Sequence, residues 1–334
     1  MNVTIKDVAR EAKVSVATVS RALNGHDNVT EAVRQCVLRV ASEMRYTPHA
    51  AARSLSSKRT HTIGVVLPDL HGEFFSELVR GIDQVAREQG RYLLVSSYHG
   101  HPEEQGAALR AMRGRVDGLL VMSPLMDASF LASNLDPNLP VVLISTQLPD
   151  TNLVSLRIDN HAGAQAMVEH LVAQGHRRIA FIAGPDDNFD ARERLRGYRD
   201  AMARLCPGVQ TRVLSGDFGE DSGHEAGGAI LASSERPDAV FAANDMMALG
   251  CLFAFNQAGL RVPDDIALAG FDDIPLARYV HPSLTTMRVD ISQLGARALR
   301  CLLEPGSERA DASLMQPQLI ARASSGGRSR SDSS

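Results

Sequence analysis

TIKDVAREAKVSVATVSRAL, residues 4–23, holds two short helical patterns on either side of one tight break. Thr4 stands at an N-cap position, and Asp7 follows three residues on to complement the exposed amides. Ile5, Val8, Ala9 and Ala12 recur at helical spacing and make one apolar face. Lys13-Val14 interrupts the pattern. Ser15 can cap a second helix carrying Val19, Ala22 and Leu23, and a third pattern runs from Thr30 through Val33, Val37, Val40 and Ala41 to Met44. Three short helices around one apolar cluster read as a helix-turn-helix unit. Its second helix turns Val16, Ala17, Thr18, Ser20 and Arg21 outward.

That face suits the major groove of DNA. Arg21 can donate two hydrogen bonds to a guanine edge, and Val16 and Ala17 can meet thymine methyls. Thr18 and Ser20 offer hydroxyls to phosphates, which position without specifying. Taken alone, the same residues also read as a solvated charge and helix caps. Charge distribution adds to the first reading. Residues 1–60 hold ten Lys/Arg against five Asp/Glu, a surplus of +5, while the remainder holds 25 against 34, or −9, giving the net −4. A basic head on an acidic body is expected where one small domain meets a polyanion.

From residue 62 the pattern changes to strand–helix alternation. TIGVVLPD, YLLVSSY, GLLVMSP and PVVLIST are strand runs, and FFSELVRGIDQVAREQG is an amphipathic helix ended by Gly90. Helical segments fall near 103–113 and 127–134. A second set follows RIDN: the helices HAGAQAMVEHLVAQG and ARERLRGYRDAMARLC, segments near 221–233 and 246–258, and the strands RRIAFIAGP, RVLSGD, AVFAAND and IALAGFD. Such alternation predicts parallel sheets covered on both faces, with ligands beyond the strands' carboxyl ends. Phe74, Phe75, Ser145, Asn244 and Asp272 occupy such ends, and Arg194 lies in the helix after IAGP. A polyol needs this mixture: a carboxylate to accept, an arginine and an amide to donate, and an aromatic ring to stack. Individually, Asp272 reads equally as a cap, Arg194 as a surface ion pair and Phe75 as core.

TIKDVAREAKVSVATVSRALNG, followed by RYTPHAAARSL, closely resembles the lactose-repressor/galactose-repressor family of bacterial transcription regulators. The resemblance continues through VDGLLVM, GHRRIAFIAGP, RLRGY, AANDMMALG, GLRVPDDIALAGFDDIPLARYVHPSLTT and LIARAS, covering nearly the whole chain. It implies an all-α helix-turn-helix headpiece (1–46), a hinge helix and linker (47–61), and an α/β effector and dimerisation domain (62–323). That domain would be two-lobed and periplasmic-binding-protein-like, with an N-lobe of 62–160 and 290–317 and a C-lobe of 161–289 and 318–323. By the same resemblance Thr4, Ser15 and the outward face of the second helix touch operator DNA. Leu55 wedges into the minor groove with Ala52 beside it, unstacking one base step. Arg194, Asn244 and Asp272 match effector-holding positions, Phe74 and Phe75 the aromatic pair after the first strand, and Asp190 another pocket position. Three departures stand out. Lys13 replaces the usual Gly or Asn in the turn, HGEFF replaces Asn-Pro-Phe-Phe and adds Glu73 near the mouth, and Ser145 replaces an Asp common in sugar-responsive members.

The implied function is a repressor binding a palindromic operator as a cytoplasmic homodimer under small-molecule control. The effector is a carbohydrate in the first reading and a purine or nucleoside in the second. A secreted sugar-binding transport protein would share the body but need an export signal and no headpiece. MNVTIKDVAR has charges where a signal peptide needs apolar residues, and no apolar run approaches the roughly 18 residues of a membrane span. Catalysis finds no support: there is no GxGxxG after a strand, no GxSxG, no P-loop lysine and no HExxH. Cys36, Cys206, Cys251 and Cys301 form no CxxC pair, so no metal site, disulfide framework or cofactor is expected. His99 and His101 with Glu103 and Glu104 come nearest to a metal cluster but read as a polar turn. SSGGRSRSDSS, 324–334, reads as a disordered tail without the leucine heptads of a tetramer.

Overall fold

The computed structural model describes residues 3–23, 28–46, 59–123, 128–146, 153–304 and 314–326. The chain forms two units, Met1–His61 and Thr62–Ser334. In the first, α1 (Ile5–Glu11), α2 (Val16–Leu23) and α3 (Glu31–Glu43) close on fully buried Val8, Val19 and Val37. Thr4 N–H and Oγ1 both donate to the Asp7 carboxylate, at 3.0 and 2.7 Å, and Thr18 N–H donates to Ser15 Oγ at 3.0 Å. Both starts are therefore capped by the side chains the sequence singles out. Lys13 takes φ 54° in the break, a left-handed backbone costing a non-glycine residue about 1 kcal/mol.

The second unit is two sheets with helices on their faces. In the N-lobe sheet, β1 (Thr62–Leu67) lies between β2 (Tyr92–Ser97) and β3 (Gly118–Met122). Beyond β3 come β4 (Val141–Ile144), β5 (Val154–Ile158) and, at the edge, β11 (Leu314–Met315). In the C-lobe sheet, β6 (Ile179–Ile182) lies between β7 (Arg212–Leu214) and β8 (Ala239–Ala242). β9 (Ala267–Asp272), β10 (Thr285–Arg288) and β12 (Gln318–Ile320) complete it. β1, β3, β4, β6, β8 and β9 are apolar runs covered on both faces, as parallel strands require.

The helices α4 (Glu73–Glu88), α5 (Pro102–Met112), α6 (Ala128–Asn134) and α11 (Ile291–Leu303) belong to the N-lobe. α7 (Asn160–Ala173), α8 (Phe189–Leu205), α9 (Glu220–Leu231) and α10 (Asp245–Gln257) belong to the C-lobe. The chain passes between lobes three times, after β5, after β10 and after β11. The last passage explains one departure from an all-parallel expectation. Only Gln316 and Pro317 separate β11 from β12, so the chain reaches the C-lobe without a helical return, and β12 pairs antiparallel with β10.

The start of the expected tail needs correction. Ser324 and Ser325 are buried in a short 3-10 turn. Ser324 Oγ accepts from Thr285 N–H at 2.8 Å and donates to Leu268 carbonyl at 2.6 Å. The Ser324 hydroxyl satisfies backbone groups of the sheet and the Ser325 hydroxyl meets Thr285 Oγ1 and His170 Nε2, which composition cannot show.

Candidate functional site

On α2, Val16, Ala17 and Arg21 are exposed, while Thr18 and Ser20 are half-buried. Thr18 also shares a 2.8 Å hydrogen bond with Ser15, so these two hydroxyls hold the helix start together. Ala52 and Leu55 lie outside the described residues.

The larger site is a cavity of about 560 Å³ where the strand ends of the two lobes face each other. Pro68 and Asp69 come from the end of β1, Tyr98 and His99 from β2, and Met122 from β3. Asp187, Asp217, Phe218, Asn244 and Asp272 come from the C-lobe ends, and Asp190 and Arg194 from the first turns of α8. Phe74 and Phe75 open α4 on the opposite wall, edge to face at 5.5 Å.

Arg194 organises the floor. Its Nε donates to Asn160 Oδ1 at 2.8 Å, its Nη1 donates to Ala243 carbonyl at 2.6 Å, and its Nη2 lies 3.0 Å from Asp272 Oδ1. The guanidinium also stacks 3.9 Å from the Phe271 ring centroid. Asn160 Nδ2 donates to Asp190 Oδ1 at 2.8 Å, so one asparagine holds both the cation and a second acid. Burial pushes the Asp272 carboxyl up to about 6; Arg194 opposes the rise and the charge of Asp190 adds to it. Asp190 is likewise held above its ordinary range by burial.

Backbone geometry marks the same place. Asp272 (φ 108°), Asp273 (φ 57°), Phe218 (φ 74°), Ser145 (φ 48°) and His99 (φ 47°) all adopt left-handed conformations at strand ends around the cleft. Such conformations concentrate where the fold over-determines a functional backbone. Behind Asp272, Asp245 accepts from Thr286 Oγ1 at 2.6 Å and from Ile274 N–H at 2.9 Å. A Cβ on Gly270 would lie 2.1 Å from Asp245 Oδ1, so only glycine admits this approach.

The expected residues divide into three groups. Phe74, Phe75, Asp190, Arg194 and Asp272 share the cavity wall. Asn244 lines it too, but it is not the free donor expected. Its Oδ1 accepts from Met247 N–H and its Nδ2 donates to Phe218 carbonyl, both at 2.9 Å, so the amide caps α10 and fixes a neighbouring turn. Ser145 is buried behind Asp190 rather than on the wall. Asn160, Phe218 and Phe271 were not singled out; Asn160 could have been, because RIDN ends a strand. Among the described residues no cluster of His, Cys, Asp or Glu has metal-site geometry; His99 faces the cavity while His101 begins α5.

Two contacts join the lobes at the mouth. His71 Nε2 lies 3.2 Å from Glu220 Oε2, and Glu73 Oε2 accepts from Leu276 N–H at 2.8 Å. Both residues belong to the unusual HGEFF segment.

Residues 4–49 match the family model for bacterial regulatory proteins of the lacI family, and residues 168–325 match the periplasmic binding protein-like domain. The chain is 36% identical over 320 residues to catabolite control protein A of Priestia megaterium, covering 95% of this chain and 96% of that protein. A crystal structure of the lac repressor dimer bound to operator and the anti-inducer ONPF superposes with a TM-score of 0.86 at 30% identity, covering 98% of this chain and 100% of that one. The cellobiose complex of the transcriptional regulator CelR matches at TM-score 0.68 and 31% identity, covering 97% and 100%. With its helix-turn-helix unit and two-sheet body, this chain belongs to the lacI family of bacterial regulatory proteins.

Proposed function

We propose that this protein is a cytoplasmic repressor that binds a palindromic operator as a homodimer and changes its operator affinity when a carbohydrate fills the cleft between its lobes. The observation that carries this reading is one chain holding both parts: an exposed Val16–Ala17–Arg21 face on a capped helix, and a cavity with the Asp190–Arg194–Asp272 network opposite two phenylalanine rings. Arg21 reads a guanine and the two small apolar residues meet thymine methyls. Thr4, Ser15, Thr18 and Ser20 position the unit on phosphates. Leu55, with Ala52 beside it, supplies the minor-groove wedge.

An effector shifts operator affinity only by binding one lobe arrangement better than another. Here the lobes meet at the three chain passages and at the mouth contacts of His71 and Glu73. The cellobiose complex of CelR, similar over nearly the whole chain, supports a carbohydrate as the effector class. The Phe74–Phe75 pair would equally stack on a base, which keeps a nucleoside as the second reading.

Selection of operators from a random duplex library by the full chain tests the first half. Enrichment of one two-fold symmetric sequence is expected, and no enrichment overturns it. Melting against sugars and nucleosides tests the second half, since a selective ligand raises the transition by mass action. A nucleoside hit replaces the carbohydrate.

A further inference from the structure

The cavity's polar groups are unevenly balanced. Several of those able to donate are engaged within the protein. The three nitrogens of Arg194 meet Asn160, Ala243 and Asp272; Asn244 Nδ2 bonds Phe218 carbonyl; the Tyr98 hydroxyl donates to Met122 carbonyl at 3.2 Å. Acceptors are in surplus. Asp69, Asp187, Asp190, Asp217 and Asp272 line the cavity, and Arg194 is the one Lys or Arg among its described lining residues. Within the floor, two carboxylates more than nine-tenths buried depend on that single guanidinium, Asp272 as its ion pair and Asp190 through its charge and the shared Asn160 amide. Asp272 Oδ1 meets it at 3.0 Å but off the angle of a hydrogen bond, and has no other partner.

A surplus buried carboxylate is costly unless a cation or proton offsets it. The upward shift of Asp272 to about 6 expresses that cost. An anionic ligand would add to it and would find few donors. An ammonium with several hydroxyls would do the opposite, supplying donors to the acids while an apolar ring face lies on Phe74 and Phe75, which also attract cations.

We infer that the effector is a cationic polyhydroxylated molecule, an amino sugar or aminocyclitol in chemical class, whose ammonium is met by the Asp190 and Asp272 carboxylates, and that the cleft rejects phosphorylated sugars and nucleotides. This rests on reading the cleft as the effector site. Asp69 and Asp217 at the mouth become selectivity residues, raising the local concentration of cations.

The test uses the full-length protein and matched triplets: glucose, glucosamine and glucose 6-phosphate; galactose, galactosamine and galactose 6-phosphate; with adenosine and cytidine alongside. Melting screens the set, and titration calorimetry compares each hit with its parent at about 50 and about 300 mM salt. The expected result is one amine binding at least about tenfold tighter than its neutral parent, with the margin narrowing at high salt. Asp217→Asn, an exposed change, should narrow it roughly twofold, and Asp272→Asn should abolish it. A neutral sugar binding as well as its amine overturns the inference and leaves the carbohydrate cleft standing. Binding of a phosphate ester overturns the charge selectivity in the same way. A nucleoside hit overturns both the amine and the carbohydrate. Silence across the whole set overturns both as well.

Discussion

Asp272 and Asp273 are consecutive and both left-handed, yet they serve opposite sides of the same strand end. Asp272 faces the cavity and Arg194; Asp273 turns back to Arg288 Nε and Arg322 Nη2, each at 2.6 Å. The first belongs to the ligand site, the second to the framework. Asp273→Ala leaves the largely buried Arg322 without its counter-charge and should cost about 3 kcal/mol in denaturant unfolding. Asp272→Ala should instead abolish the effector response and leave effector-free operator binding unchanged; loss of operator binding would make Asp272 structural.

Arg194 bears the opposite prediction. Two buried carboxylates depend on it, so Arg194→Met should destabilise the body by about 3–5 kcal/mol. Asp272→Asn, which leaves one acid to one arginine, should be close to neutral or stabilising at pH 7. Chemical unfolding of the two variants beside the parent decides the order, and equal losses would mean that the charge surplus is not felt.

The pH dependence follows from the same acid. Its unfolded value is near 3.8 and its folded value about 6. Between these the folded state binds more protons, so its contribution to stability falls as pH rises through the window and is flat above it. The full difference is at most about 3 kcal/mol. Asp190 and Asp245, also raised, act with the same sign, and Asp217, lowered by its Ser222 hydrogen bond, acts with the opposite one. The parent-minus-Asp272→Asn difference in unfolding free energy, measured from pH 4 to 7, isolates the Asp272 share.

At the headpiece, Arg21→Ala should weaken operator binding by about 1–3 kcal/mol and flatten discrimination at one base pair per half-site. Fluorescence anisotropy over a base-substituted operator series checks this. An unchanged preference with uniformly weaker binding would reassign Arg21 to a phosphate.

Glu73→Ala removes the acceptor of the Leu276 amide across the mouth. Hydrogen exchange at Leu276 should accelerate severalfold while the core strands keep their protection. Faster exchange throughout β9 would show that Glu73 stabilises the lobe itself rather than the closure.

The regular parts of this molecule were legible because burial writes them into sequence. TIGVVL and AVFA are short apolar runs within a strand–helix alternation, and residues 5–12 and 16–23 each carry a helical period on either side of the Lys13 break. Arg194 and Asp272 could be picked out as candidates because ligands in such sheets sit at strand ends and the helices after them, while Asp190 came from the family resemblance alone. What the sequence hid is pairwise. Asn160 joins Arg194 to Asp190 from 34 and 30 positions away. Asn244 satisfies a cap and a turn before any ligand arrives. Ser324 is buried in a 3-10 turn against the sheet although its neighbours read as a tail. Each depends on which distant group arrives to meet it, and periodicity carries no such information.

The passage after β10 has a consequence for how such a sensor can diversify. Val289 N–H donates to Asp272 carbonyl at 3.2 Å, so the backbone of a ligand-facing residue is tied to a strip of chain that joins the lobes. The Asp272 side chain meets the ligand while its carbonyl holds the passage, so recognition and the joint between the lobes converge on one residue. Asp69 and Asp217 at the rim bond only to neighbours in their own loops, and new chemical tastes can be tried there while the passage is inherited intact.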